Sequence, residues 1–287
     1  MLAELAFGLV ACIVILCFVI VVGNELFGIM VNERLRYFRL FVYNASHHPD
    51  GDAQSKPEPV ARYVSWAGGE MRDLAGCVHI RHTGRIRYGT TGRWMNMRGE
   101  AFFSLAAPAF IWRATITYLP GIRLEVFDYY VDREAGMNLN LFSVIPLGSA
   151  HTDELMESPL FRYLGFTPLF PMIYCSSDFI RWENADDTMT RAIIHDKDHS
   201  VEALVRFNGR GVIESIESGC SFYPDTGRSV PGHFTSRFSD YTIEGDYRIP
   251  MQVTADIILP TGEQGRAEYV ITGIEFDAAD ISPWRKF

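Results

Sequence analysis

The sequence predicts a mainly β protein of the α+β class. Its parts are one transmembrane helix at the N-terminus, a large curved antiparallel sheet and a short helical insertion that covers the sheet. Three observations carry this prediction. Residues 5–22 are apolar and uncharged, about twelve short strand-like segments follow residue 77, and residues 159–174 (PLFRYLGFTPLFPMIY) hold one charge and three prolines. A chain of 287 residues is long enough for one large domain or two small ones.

The N-terminal stretch LAFGLVACIVILCFVIVV is long enough to cross a bilayer. Its eighteen residues, at about 1.5 Å per residue, span roughly 27 Å. A cleaved signal peptide would have a basic segment before this stretch and a small-residue cleavage site after it, and neither is found here. The sequence LVAC at 9–12 matches a lipoprotein processing box, but apolar residues continue after Cys12 where lipoproteins become polar. We therefore expect a retained single-pass helix in the cell membrane.

The composition divides the chain into three segments. We predict a transmembrane helix and amphipathic stalk over 1–44, a polar linker over 45–56, and the β-sheet domain over 57–287. The orientation of the span depends on three arginines that follow it: Arg34, Arg36 and Arg39. The positive-inside rule then favours a cytoplasmic domain. Acidic residues lie among these arginines, so the side of the membrane stays open.

The domain is predicted to begin with a helix and to continue as strands. The segment KPEPVARYVSWAGG at 56–69 has prolines at its start and glycines at its end, which are helix start and stop signals. The segment AFIWRATITYL at 109–119 then alternates as a strand does. The segment IRLEVFDYYV at 122–131 is apolar on both faces. We therefore expect both faces of the sheet to be covered.

Residues 152–174 are predicted to form two short helices that lie on the curved sheet. Thr152 can cap the first helix, and Thr167 followed by Pro168 can start the second. The segment is too short and too interrupted by proline for a second membrane span. Its apolar side chains are therefore expected to bury against the sheet and to roof an apolar cavity.

Several motifs, taken in order, resemble a known family. They are PEPVARY, GRW, FIWRA, FPMIYCSSDFIRWENADDTMTRAIIHD, RFSDY, RIP and ITGIEFD. Between about Pro57 and Asp277 they resemble a bacterial domain of unknown function numbered sixty-five forty-four. The order of helix, strands, helical insertion and strands is also similar to the lipoprotein-carrier half-barrel. That likeness implies a half-barrel that binds acyl chains under a helical lid.

Candidate ligand-binding residues come from two patterns. An arginine stands next to a tryptophan twice, and the RFSDY segment places Arg237 and Tyr241 on one face of a strand. The functional interpretation is that an arginine meets an anionic headgroup at the mouth of a cavity. The alternative is that these residues form ion pairs and aromatic contacts that only fix the sheet. The candidates are Trp112, Arg113, Phe166, Phe170, Arg181, Trp182, Arg237 and Tyr241.

Other kinds of chemistry find little support in the sequence. The five cysteines form no CxxC pair, and the segment HDKDH at 195–199 is interpreted as a hairpin turn. His79 and His82 are expected on opposite faces of one strand, where they cannot share a metal ion. We expect no metal, no cofactor and no catalytic residue. A net charge of -9 without a basic run argues against nucleic-acid binding.

These observations favour a membrane-anchored binding protein for a hydrophobic or lipid-like ligand held in a half-barrel cavity. Its partners would be the membrane, through the N-terminal helix, and a lipid or another amphiphile. The first alternative is an accessory subunit of a membrane protein complex, which would expose a large apolar patch. The second alternative is an uncharacterised hydrolase. The identity of the ligand, the oligomeric state and the presence of a disulfide stay open.

Overall fold

A computed structural model describes residues 2–45, 56–68, 76–150, 157–176, 178–222, 230–262 and 264–276. Within these residues the chain forms a single antiparallel sheet of thirteen strands. The helices are α1 (Leu2–Ala45), α2 (Glu58–Ala67), α3 (Glu157–Leu164), a 3-10 turn (Thr167–Leu169) and α4 (Ile173–Ser176). The strands are β1 (Cys77–Tyr88), β2 (Met95–Ser104), β3 (Phe110–Leu119), β4 (Ile122–Val131), β5 (Glu134–Leu141), β6 (Ile145–Ala150), β7 (Ile180–Asn184), β8 (Met189–Asp196), β9 (His199–Phe207), β10 (Ile213–Phe222), β11 (Val230–Glu244), β12 (Tyr247–Ile258) and β13 (Gln264–Glu275).

The strand order shows how the helical insertion is placed. The sheet runs β6-β5-β4-β3-β2-β1-β13-β12-β11-β10-β9-β8-β7, so two meanders meet where β1 pairs with β13. The strands β6 and β7 follow each other in the chain but form the two opposite edges of the sheet. The segment that joins them contains α3 and α4. It therefore passes across the sheet from one edge to the other, which confirms the prediction of a helical insertion within a curved antiparallel sheet.

The sheet is curled into a half-barrel, and its inner face carries the main core. The curl brings the β4–β5 turn to the β8–β9 turn, where Tyr130 donates a hydrogen bond to Asp196 and Lys197 lies 3.8 Å from Asp132. The β8–β9 turn occupies the HDKDH segment, as predicted. The inner core contains side chains from the strands, from α2 and from the insertion, including Phe103, Phe110, Tyr163 and Phe170, all at most 1% exposed.

The outer face of the sheet has a cover that the sequence analysis did not assign to it. The second half of α1 packs there, and Phe27, Val31, Leu35, Phe38 and Val42 form a buried stripe at helical spacing. This stripe contacts outward-facing side chains of β2, β3 and β4. The stretch that we interpreted as a stalk therefore forms part of the folded body. The insertion covers the inner face instead of providing the missing outer layer.

The insertion itself differs in detail from the prediction. Helix α3 begins at Glu157, and the expected cap Thr152 lies outside the described residues. Thr167 and Pro168 begin a single 3-10 turn, and α4 follows after Pro171. The prolines are the physical reason for these short pieces, because each one removes a backbone N–H donor and restricts the residue before it.

Candidate functional site

A cavity of about 110 Å³ lies between α3 and the inner face of the half-barrel. Helix α3 forms its roof, and strands from both meanders form its walls. The lining is mostly apolar. It consists of Asp128, Gly136, Met137, Ser158, Pro159, Phe161, Arg162, Phe166, Phe234, Ser236, Ala255 and Tyr269.

Aromatic rings form most of the apolar wall. The ring of Phe161 lies 5.5 Å from that of Phe234, and Phe166 meets Tyr269 edge-on at the same centroid distance. Phe166 also stacks on Phe103 of the inner core. Each aromatic side chain removes a large apolar area from water, so this wall holds the roof to the sheet.

One ion pair stands in this apolar lining. The guanidinium of Arg162 on α3 lies 2.9 Å from the carboxylate of Asp128 on β4, and it also lies over the ring of Trp112 at 5.1 Å. Asp128 is buried, and burial raises the pKa of its carboxyl group above the usual range although Arg162 opposes the shift. The side chain of Arg162 keeps 32% of its surface exposed. The cation can therefore reach both the cavity and the solvent.

The roof approaches the sheet closely at Gly165, the residue after α3. A Cβ atom at this position would lie 2.7 Å from the hydroxyl oxygen of Ser236 on β11 and 3.6 Å from its Cβ atom. Only glycine fits without a shift of the neighbouring atoms. The hydroxyl of Tyr163 donates a hydrogen bond of 2.5 Å to the carbonyl of Ser104, which fastens the same end of the roof to β2.

Two of the predicted ligand-binding residues lie at the cavity. Phe166 lines it directly, and Trp112 lies beneath Arg162. Phe170 and Trp182 belong to the inner core, where Phe170 packs on Phe103 and Trp182 packs on Tyr174. These two residues fix the insertion rather than line the cavity.

The three predicted arginines do not converge on the cavity. Arg113 lies on the outer face under α1, 3.6 Å from Glu125 and over the ring of Phe27. Arg181 is paired with Glu183 at 2.9 Å on the edge strand β7. Arg237 is paired on the outer face with Asp256, which also binds Arg266. Their arrangement agrees with the alternative interpretation, in which ion pairs fix the sheet.

Tyr241 lies apart from Arg237, contrary to the strand alternation that the sequence suggested. Its hydroxyl donates to the carbonyl of Ile213, and its ring meets Trp66 of α2 in the inner core. The physical reason lies one residue earlier, because Asp240 has a left-handed backbone with φ 57° and interrupts the regular alternation.

Arg162 is a charged residue of the cavity lining that the candidate set lacked. The signal was present, since this arginine is the one charge in residues 159–174. A long cation in an apolar helix must find a partner when the helix is buried. Sequence alone did not show that the partner is Asp128, because Asp128 lies on strand β4, 34 residues earlier in the chain.

The two histidines of β1 lie on opposite faces, as predicted. His79 faces outward, 2.8 Å from Glu100. His82 faces inward and accepts a hydrogen bond of 2.8 Å from the indole N–H of Trp112. Burial lowers the pKa of His82 to about 3, so its imidazole is neutral at ordinary pH. The described residues contain no group of three or more His, Cys, Asp or Glu side chains placed to hold a metal ion.

Comparison with known proteins adds one family and a set of solved structures. A LolA superfamily protein from Nitrosomonas europaea is similar over 76% of this chain and 93% of its own, with 11% identity and a TM-score of 0.37. A DUF1329 family protein from Desulfovibrio piger is similar over 79% and 95%, with 10% identity and a TM-score of 0.38. No curated protein matches the chain. The family number predicted from the motifs, sixty-five forty-four, is not confirmed. Residues 54–276 match a different family model, and the chain therefore belongs to the family of unknown function DUF6920.

Proposed function

We propose that this protein is a membrane-anchored binding protein for a hydrophobic or lipid-like ligand, which enters the half-barrel beneath α3. The observation that carries the proposal is an apolar cavity whose described lining residues include a single cation, Arg162. Apolar walls with a few placed polar groups are typical of small-molecule sites. Phe166 and Trp112 would contact the ligand in this arrangement.

The volume of the cavity implies that α3 must move before a ligand can bind. Small-molecule sites have volumes of about 300–1,000 Å³, and this cavity has about 110 Å³. It can hold one end of an acyl chain but not a whole chain. Binding therefore requires that α3 move away from the sheet. The aromatic contacts of Phe161 and Phe166 with β11 and β13 would be exchanged for contacts with the ligand.

Arg162 suits the ligand's polar end. Its guanidinium already balances the charge of Asp128, and its partial exposure leaves N–H donors for a carboxylate or a phosphate. An anionic headgroup would therefore lie at the solvent side of Arg162, with the apolar chain directed toward Phe166. Because Arg162 lies on α3, binding at this residue and movement of the roof would be coupled.

The anchor would be the first part of α1. Between Ala6 and Ala45 this helix contains a window of mean hydropathy 3.1 in which no described side chain is buried. A span over residues 5–22 would give these side chains lipid to contact, and residues 1–44 would then combine an anchor with the outer cover of the sheet. The arginines after the span favour a cytoplasmic body. A protease-protection assay on sealed vesicles would test that orientation.

Photolabelling tests the ligand proposal directly. The full chain would be reconstituted in phosphatidylcholine vesicles that contain a fatty acid carrying a diazirine at the end of its chain. We expect label on peptides from α3 and from β11–β13, in addition to α1. The variant Ala255→Phe fills the cavity without removing any charge, so it should lose the label on the sheet and keep the label on α1. Label confined to α1 in both proteins would contradict the proposal.

A disulfide tests the movement of the roof. The Cβ distance of 3.6 Å between positions 165 and 236 lies within the usual range of about 3.5–4.5 Å for a disulfide. The double variant Gly165→Cys, Ser236→Cys should close the roof when oxidised and release it when reduced. We expect photolabel on the sheet only after reduction. The two single-cysteine variants are the controls, and equal labelling of the oxidised and reduced double variant would refute the required movement.

A further inference from the structure

Three hairpin turns lie together at one end of the half-barrel and form a surface with unusual composition. They are the β1–β2, β3–β4 and β5–β6 turns together with the strand residues that flank them, at 88–95, 118–122 and 142–147, which we call the turn rim. The register of the strands places them at the same end, because Ile86 pairs with Met95, Leu119 with Ile122, and Leu124 with Leu141, in neighbouring hairpins. The turns after β4 and β11 lie at the opposite end.

The turn rim exposes large apolar side chains. Outside α1, eight large hydrophobic residues of the described chain are exposed, and five of them belong to the turn rim. These five are Tyr88, Tyr118, Leu119, Ile145 and Leu147. In the third turn Ile145, Pro146 and Leu147 are exposed in succession. A run of exposed apolar residues of this kind marks an interaction surface.

The charges of the turn rim are of one sign. Its sequence holds Arg93 in the first turn, and Arg87 and Arg123 directly flank the first two turns. Residues 85–95, 117–123 and 141–147 contain no Asp or Glu, although the whole chain has a net charge of -9. At the opposite end, the turns after β4 and β11 with their flanking residues hold Asp132, Glu134, Glu244 and Asp246 against one basic residue, Arg133. A basic surface with exposed tyrosine, leucine and isoleucine matches the headgroup region of an anionic bilayer.

Contact between the turn rim and α1 fixes where this surface would lie. A Cβ atom at Gly23 would collide with the side chain of Val144, so the third turn rests directly on α1 at that residue. Gly23 follows immediately after the apolar stretch 5–22. If that stretch crosses a bilayer, its end and the third turn reach the membrane surface at the same level. The glycine is what permits this close approach.

We infer that the turn rim is a membrane-contacting surface, which places its apolar tips among the lipid headgroups and its arginines against anionic lipid. The inference rests on the membrane anchor of the proposed function. It adds an orientation, with the turn rim on the bilayer and the acidic turns facing away. The half-barrel would therefore contact the membrane through both α1 and the turn rim, rather than through α1 alone.

The test compares two isoleucines that differ in position. Ile145 is 50% exposed in the turn rim, and Ile243 is 62% exposed at the opposite end of the sheet. Each would be replaced by cysteine in the full chain after Cys12→Ala and Cys17→Ala, and labelled with the fluorophore NBD. The labelled proteins would be reconstituted in vesicles of phosphatidylethanolamine and phosphatidylglycerol, with or without brominated acyl chains. The same protein without an introduced cysteine reports background labelling.

We expect brominated lipid to quench NBD at position 145 several-fold more than NBD at position 243. The double variant Arg93→Gln, Arg123→Gln should reduce the quenching at 145, most clearly when phosphatidylglycerol is the minor lipid. Equal quenching at both positions would overturn the inference. NBD at 145 that is shielded from both brominated lipid and aqueous iodide would indicate a protein partner and would also overturn it.

Flotation of the vesicles after carbonate washing separates this inference from the proposed anchor. If the protein stays with the vesicles while position 145 remains in water, the membrane contact of the turn rim is refuted but the anchor is not. Protein that carbonate removes refutes the anchor, and with it the orientation inferred here.

Discussion

The ion pair between Arg162 and Asp128 should respond very differently to the loss of each partner. The Asp128 side chain is 9% exposed and that of Arg162 is 32% exposed. The change Arg162→Met keeps the length of the side chain but leaves a buried carboxylate without a counter-charge. Breaking a buried pair in this way costs about 3–5 kcal/mol, and partial exposure of this pair places the expected loss near the lower value.

The change Asp128→Asn should lower the free energy of unfolding by less than Arg162→Met does. The amide oxygen can still accept a hydrogen bond from Arg162, and the guanidinium can turn toward solvent. A hydrogen bond of ordinary strength contributes about 1 kcal/mol, which sets the expected loss. The double variant Asp128→Asn, Arg162→Met should be more stable than Arg162→Met alone, because no buried charge remains in it.

Urea unfolding of the full chain in a mild detergent, followed by tryptophan fluorescence, measures all three variants. Trp112 lies under Arg162 and reports on the pair. The loss of unfolding free energy in Arg162→Met should also become smaller as the pH falls. In that variant the raised pKa of Asp128 loses the opposing influence of Arg162, so the folded protein takes up a proton there before the unfolded chain does. Equal losses in the two single variants, or a double variant as unstable as Arg162→Met, would refute the reasoning.

Three further predictions concern the core. Between pH 6.5, the ordinary pKa of histidine, and about 3, the unfolded chain binds a proton at His82 that the folded chain excludes. The free energy of unfolding should therefore fall on acidification by up to about 1.4 kcal/mol per pH unit. In urea titrations at several pH values, His82→Gln should remove this part of the pH dependence. Phe38→Ala should cost about 3–5 kcal/mol, because the ring is fully buried between α1 and the sheet, whereas Leu40→Ala on the exposed side of the helix should change urea stability by less than about 0.5 kcal/mol. Phe170→Asp buries a charge in the inner core and should abolish the protease-resistant body in limited proteolysis, while Phe170→Leu should retain it.

The strands could be predicted because their signals are local. In β3, side chains from Trp112 to Ile116 alternate between buried and half-buried, and this period of two is visible in the sequence. The helical insertion was also predictable, since Pro168 and Pro171 divide an apolar segment that is too short to cross a membrane. These properties depend on neighbouring residues alone.

The site was less predictable because it depends on pairs that are distant in the chain. Two of the three candidate arginines, Arg113 and Arg237, had partners whose positions follow from strand register, as with Arg113 and Glu125 across β3 and β4. The role of α1 was hidden for a similar reason. Its stripe of Phe27, Leu35 and Phe38 has a helical period, but the sequence does not say which surface the stripe contacts.

The order of the strands also bears on how the protein folds. Each meander is built from strands that follow one another in the chain, so each can form through short-range hairpins. Among the described strands the two meanders share one hydrogen-bonded junction, the ladder of β1 and β13, which joins segments such as His79 and Glu275 from the two ends of the sheet-forming chain. Closing this seam requires the largest loss of chain entropy, and the insertion that links β6 to β7 tethers the two halves while it happens. A chain nicked within that insertion would leave two separately formed halves, whose reassembly would measure the strength of the seam on its own.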